Sequence, residues 1–123
     1  MSHLIKASSS NQANKRHLSE RCSVNDTLSF IGKRWLMAVL YEISVGHNQF
    51  SSLLPVFSGL SEHILAARIQ DLNQNGLIIK VPKPDSVPIQ ICYAITSKGY
   101  DLLSIVASLH DWTDAYADPD QEI

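Results

Sequence analysis

Two cysteines, five histidines, five glycines and five prolines in 123 residues leave little room for several kinds of protein. Cys22 and Cys92 cannot frame a disulfide-stapled fold in a chain of this size. The histidines stand scattered at 3, 17, 47, 63 and 110. Structural zinc needs about four ligands at close spacing, so no metal site is expected. No run approaches the roughly 18–20 apolar residues that cross a bilayer. Residues 1–6 lack the apolar stretch of a signal peptide, so a cytoplasmic protein without a membrane partner is expected. Phosphate loop, paired-carboxylate site and nucleophile elbow are all missing, which predicts neither an enzyme nor a cofactor.

Charge is also sparse. Charged residues are 18% of the chain and the net charge is −2, so bulk attraction to a polyanion is absent. The distribution is uneven. Residues 1–34 carry six Lys or Arg against two acidic residues, residues 35–84 carry three against three, and residues 85–123 carry one against seven. A basic front and an acidic rear are compatible with polyanion binding on one face. Taken alone, they fit two solvated tails better.

Apolar residues make up 45% of the chain, enough for one domain with one core. Residues 1–20, rich in Ser, Asn and Gln, read as a flexible arm, residues 21–116 as the folded domain, and residues 117–123 as an acidic tail. Within the domain, Val24, Leu28 and Ile31 have helical spacing and stop at Gly32. Trp35, Leu36, Val39, Leu40 and Ile43 make a second helical stripe that stops at Gly46. Phe50, Leu53, Leu54 and Phe57 predict a short third helix up to Ser58-Gly59, with Pro55 either in its first turns or kinking it. Ser61 is a good N-cap for a fourth helix whose inward face is Leu65, Ile69 and Leu72, closed by Asn75-Gly76.

The period then changes. Residues 77–81 are short and β-branched, residues 82–88 are proline-rich, and Ile89, Ile91, Tyr93 and Ile95 alternate as in a half-buried strand. Thr96 caps a closing helix with apolar positions Leu102, Ile105, Val106, Leu109, Trp112 and Tyr116. The expected fold is mainly α with a small β-hairpin. Two helices around a Gly-containing turn, followed by a hairpin, predict a winged helix-turn-helix.

Several stretches resemble one family in order and spacing. Cys22-Ser-Val-Asn-Asp-Thr-Leu-Ser-Phe-Ile-Gly-Lys-Arg-Trp35 resembles the C-P-V-x-x-T-L-x-x-I-G-G-K-W signature of the HxlR-type winged-helix regulators, relatives of the MarR regulators. Phe50-Ser-Ser-Leu53, Gly59-Leu-Ser61, Leu65-Ala-Ala-Arg-Ile-Gln-Asp-Leu72, Asn75-Gly-Leu77 and Pro88-Ile-Gln-Ile-Cys-Tyr93 continue the match in register over about residues 22–112. Departures are Ser23 for proline, Lys33 for glycine, Arg34 for lysine, Ala66 for Ser or Thr, Gln70 for arginine and Cys92 for an acidic residue. The resemblance implies a sequence-specific DNA-binding regulator, expected to be a repressor, acting as a homodimer through the helices at the two chain ends.

On that reading the fourth helix enters the major groove of double-stranded DNA. Ser61, Glu62, His63, Ala66, Ala67, Arg68 and Gln70 are its candidate contacts: Glu62 for cytosine, Gln70 for adenine, the alanines for a thymine methyl, Arg68 for guanine or phosphate. Arg68 borders the buried stripe, so an internal ion pair is its rival role. Lys80 and Lys83 beside the wing, and Lys33 and Arg34 before the second helix, are candidate phosphate contacts. Leu28, Leu102, Ile105, Val106, Leu109 and Trp112 are candidate dimer-interface residues. Cys22 lies beside Arg21 at the start of a helix, both of which favour a thiolate. Some members of the family sense oxidants or electrophiles with a cysteine at this position, so the resemblance implies an oxidant or small-molecule signal, against the equally weighted reading of a packing residue. Cys92 reads as a packing or surface residue, or as a disulfide partner of Cys22. The competing function is a winged-helix module for protein–protein contact that binds no DNA.

Overall fold

The computed structural model describes residues 23–117. The expected arm, Cys22 and the acidic tail beyond Ala117 lie outside the described residues. The chain divides between Lys33 and Arg34 into two compact units. In the first, residues 23–31 are helical (α1). The Thr27 hydroxyl donates to the Ser23 carbonyl at 3.0 Å, and the Gly32 amide donates to the Leu28 carbonyl at 2.9 Å, ending the helix where the sequence predicts.

The second unit opens with α2, Leu36–Ser44, whose Leu36, Val39, Leu40 and Ile43 are buried. Its N-cap, Trp35, has φ of 75°, a conformation a bulky residue rarely adopts. The indole is held edge-on against Phe57, with ring centroids 5.7 Å apart. Next comes α3, Phe50–Leu53. The predicted helix does not run on to Phe57: Leu54–Val56 is a 3₁₀ turn containing Pro55. Proline has no amide hydrogen to donate and crowds the preceding turn, so the chain tightens there.

A turn through Gly59, with φ of 83°, leads to α4, Glu62–Gln74. The Ser61 hydroxyl accepts from the Ile64 amide at 3.1 Å, as its cap role predicts. Leu65, Ile69 and Leu72 are buried, the expected inward stripe. They join the α2 residues, Leu53, Leu60, Leu77, Ile78 and Tyr93 in a core that holds no buried polar residue among the described ones. Each fully buried leucine contributes roughly 1.5–3 kcal/mol.

Strands β1, Ile78–Lys83, and β2, Gln90–Ile95, pair antiparallel, with Ile78 opposite Ile95 and Lys83 opposite Gln90. Two expectations fail here. β1 extends through Pro82, which a ribbon with free edges tolerates. The alternation over Ile89, Ile91, Tyr93 and Ile95 does not mark a half-buried strand. Ile89 lies before β2 and is 63% exposed, Ile91 is exposed, and only Tyr93 is buried. The ribbon projects beyond the body, so only its root, at Ile78 and Tyr93, meets the core.

Helix α5, Ser97–Tyr116, is capped by Thr96, whose hydroxyl accepts from the Gly99 amide at 3.1 Å and donates to the Gly76 carbonyl at 2.6 Å. A Cβ on Gly99 would stand 2.3 Å from the Leu77 carbonyl oxygen, so only glycine lets α5 approach the sheet this closely. The result is a mainly helical winged helix-turn-helix with a two-stranded hairpin. No helix among the described residues is long and apolar enough to cross a membrane.

Candidate nucleic-acid interface

Burial of Leu65, Ile69 and Leu72 fixes the rotation of α4. At 100° per residue, Glu62, His63, Ala66, Gln70, Asn73 and Gln74 fall within an arc of about 120° on the outward side. All six are exposed. No hydrogen bond or ion pair engages the side chains of Glu62, His63, Gln70 or Asn73 among the described residues. Ala67, expected among the groove contacts, is half-buried on the flank of this arc.

Arg68 stands apart from its expected partners. Its guanidinium Nη1 is 3.5 Å from Asp71 Oδ2, three residues on, and its side chain is only 19% exposed. The internal ion pair is thus the role the structure gives it. Its Nε is buried with no hydrogen-bond partner.

Lys80 and Lys83 are both exposed on β1. Pairing puts Lys80 with Tyr93 on one face of the ribbon and Lys83 with Gln90 on the other. The Ser86 hydroxyl closes the loop, donating to the Lys83 carbonyl at 2.9 Å and accepting from the Gln90 amide at 2.8 Å. At the root, the Tyr93 amide donates to the Asn48 carbonyl at 2.8 Å, and Gln49 Nε2 lies 3.5 Å from Cys92 Sγ. Cys92 is a free thiol and half-buried. Burial pushes the Tyr93 phenol above its usual value.

Lys33 belongs to the first unit, its ammonium 5.7 Å from the Phe30 ring centre. Arg34 belongs to the second, its guanidinium 5.1 Å over Trp35. Leu28 on α1 and Ile105, Leu109 and Trp112 on α5 are exposed, while Leu102 and Val106 are half-buried. An open groove of about 710 Å³ runs between α2 and α5, lined by residues including Met37, Tyr41, Tyr100, Leu103 and Val106. No group of three or more His, Cys, Asp or Glu among the described residues could hold a metal ion.

A family model for HxlR-like helix-turn-helix proteins matches residues 30–121. The chain belongs to the HxlR-like helix-turn-helix family. It is a helix-turn-helix transcriptional regulator; the family consists of regulators, not enzymes, and DNA binding follows from membership. The chain is 32% identical over 94 residues to the helix-turn-helix regulator YtfH of Escherichia coli K12, covering 76% of this chain and 74% of that one. It is 25% identical over 96 residues to YodB of Bacillus subtilis, covering 78% and 85%. The reduced form of YodB superposes with a TM-score of 0.71 over 80% of this chain and 96% of that one, at 24% identity. A MarR-family protein from Enterococcus faecalis V583 gives a TM-score of 0.71 over 78% and 86%, also at 24% identity. These two superpositions support the fold.

Sequence reasoning missed three features of this surface. Asn73 shares the outward arc with Ala66 and Gln70, which its spacing alone would have shown. Val87 at the wing tip is 98% exposed, and nothing in its residue type signals that. Gln49 joins the start of α3 to the wing through Gln90 as well as Cys92, a contact between residues 41 apart.

Proposed function

We propose that this regulator is a repressor that binds a near-palindromic operator as a homodimer, with α4 in the major groove and the wing on adjacent phosphates. The observation that carries the reading is the outward arc of α4, whose polar side chains are exposed and unengaged while the neighbouring face of Leu65, Ile69 and Leu72 is locked into the core. Ser61, Glu62, His63, Ala66, Ala67 and Gln70 are its candidate contacts, and Arg68 supports the helix from its far side. Lys80 and Lys83, on opposite faces of the ribbon, suit a wing lying between two phosphate strands. Arg34 and Lys33 are further candidate phosphate contacts.

Dimerisation is supported by Ile105, Leu109 and Trp112, exposed at 57%, 46% and 65% along one helix, and by the apolar groove beside it. Such a surface suits a second copy. Leu102 and Val106 are assigned to the same interface, and Leu28, on the first unit, is a separate candidate for contact with a second copy. Two α4 helices would then meet half-sites about one helical turn apart, ~10–10.5 base pairs. Occupying an operator blocks polymerase by exclusion, so repression needs no additional surface.

We assign Cys22 as a redox-sensing nucleophile. Its neighbour Arg21 and the helix that follows favour the thiolate. The relative YodB has been solved both in its reduced form and after diamide treatment. One observation favours the protein–protein alternative: residues 62–90 carry three cations against three carboxylates.

Retention of the full chain on mixed duplex DNA across a salt series separates the two. The regulator reading expects affinity that falls steeply and linearly on a log–log salt plot. Absence of retention near physiological ionic strength would favour the protein–protein module. Cys22→Ser should abolish an oxidant response and leave reduced-state binding intact; an unchanged response rules out the sensor role.

A further inference from the structure

We infer that the base-reading face of this protein is built for A·T-rich half-sites and lacks the usual reader of guanine. This rests on the proposed placement of α4 in the major groove and adds the class of sequence it selects. Guanine is read chiefly by arginine or lysine, which donate two hydrogen bonds to its O6 and N7. The one cation on α4, Arg68, is directed elsewhere. Its position lies about 180° around the helix from the centre of the outward arc. Its guanidinium is paired with Asp71 and largely covered. Lys80 and Lys83 are on the wing, not on this helix.

What the arc does present matches adenine and thymine. Gln70 and Asn73 carry amides, each able to donate to N7 and accept from the N6 amino group of adenine. Between Gln70 and the start of the helix stands Ala66, exposed and short enough for close contact with a thymine methyl. Glu62, in the first turn, is an acceptor only and suits the N4 amino group of cytosine. His63 offers a single donor in its neutral form and satisfies at most one of guanine's two acceptors. Glu62 to Asn73 spans about 16 Å, on the order of four to five base pairs. The expected half-site is therefore a short A·T block with a cytosine at the end facing Glu62.

The test is selection of duplexes by the full chain from a random DNA pool, followed by competition binding with Gln70→Ala, Gln70→Arg and Arg68→Met. The expected product is two A·T-rich half-sites. Gln70→Ala should relax the preference at one base pair per half-site by about 5- to 150-fold and leave the salt slope unchanged. Gln70→Arg should turn that pair to G·C. Arg68→Met should leave the selected sequence as it was. Gln70 is exposed, so its variants should fold, which the circular dichroism spectrum checks. Selected half-sites that require a G·C pair inside the block, away from the end facing Glu62, and ignore Gln70→Ala would overturn the inference and leave the regulator reading standing. A guanine preference that disappears with Arg68→Met would do the same. Failure to retain any duplex would overturn both.

Discussion

Helix α4 and the wing are both exposed, but they are held in opposite ways. The helix is anchored along its whole length: Leu65, Ile69 and Leu72 are buried, and Ser61 fixes its start. Its outward side chains are Glu62, His63, the short Ala66 and three amides. The wing is packed into the core at its root, through Ile78, Tyr93 and the Asn48 carbonyl, with Gln49 reaching Cys92 and Gln90 along β2, and every β1 residue past Ile78 is exposed. Its polar reach comes from two long cations. On the proposed reading, work on this one surface divides accordingly. Reading a base edge needs a donor placed within a few tenths of an ångström, which a packed helix supplies. Contact with a phosphate strand tolerates a moving cation, which a projecting ribbon supplies.

Loosening the helix should erase this contrast most completely. Leu65→Ala removes a fully buried side chain beneath the candidate contacts, and should cost about 2–5 kcal/mol in chemical denaturation. Removing the cap is milder. Ser61→Ala should cost about 1 kcal/mol, readable as a lower denaturation midpoint. Ser61→Asp, which keeps an acceptor, should restore it.

On the wing, Lys80→Ala and Lys83→Ala should each leave stability within about 0.5 kcal/mol. Each should weaken binding to all duplexes alike and reduce the magnitude of the salt slope by about 1 for each phosphate no longer neutralised. A lysine variant that changed which sequence is selected would blur the division.

The smallest effect tests the wing root. Burial raises the Tyr93 phenol above 10.0 in the folded chain. The folded state therefore holds this proton more tightly than the unfolded state. Stability from this source is fully present below about pH 10 and is lost as pH rises through the raised folded value. Tyr93→Phe should flatten that alkaline loss in a pH series of melting curves.

Much of the anchored region was legible in the sequence. Ser61, the Leu65–Ile69–Leu72 spacing and Gly76 state where α4 begins, which side it buries and where it ends, because local caps and period carry that information. The projecting region was not. Alternation over Ile89, Ile91, Tyr93 and Ile95 says which residues share a face, but not whether anything covers that face. Pro82 argued against a strand that a free ribbon edge permits. The 3₁₀ turn at Pro55 was half legible, since proline announces an interruption without fixing its form. Within α4, the sequence left two roles open for Arg68. Only the rotation of the helix and its reach to Asp71 separate the ion pair from an outward contact.

All of this depends on the outward arc of α4 meeting base edges from the major-groove side. Once a bound duplex is in hand, its half-site adenines can be replaced singly by 7-deazaadenine, which lacks the major-groove N7 acceptor, or by 3-deazaadenine, which lacks the minor-groove N3. One 7-deaza position should weaken binding of the natural chain at least about 5-fold, and Gln70→Ala should be insensitive there. If every 7-deaza duplex binds as tightly as the parent while 3-deaza substitution weakens binding, the helix is not in the major groove and the account is wrong.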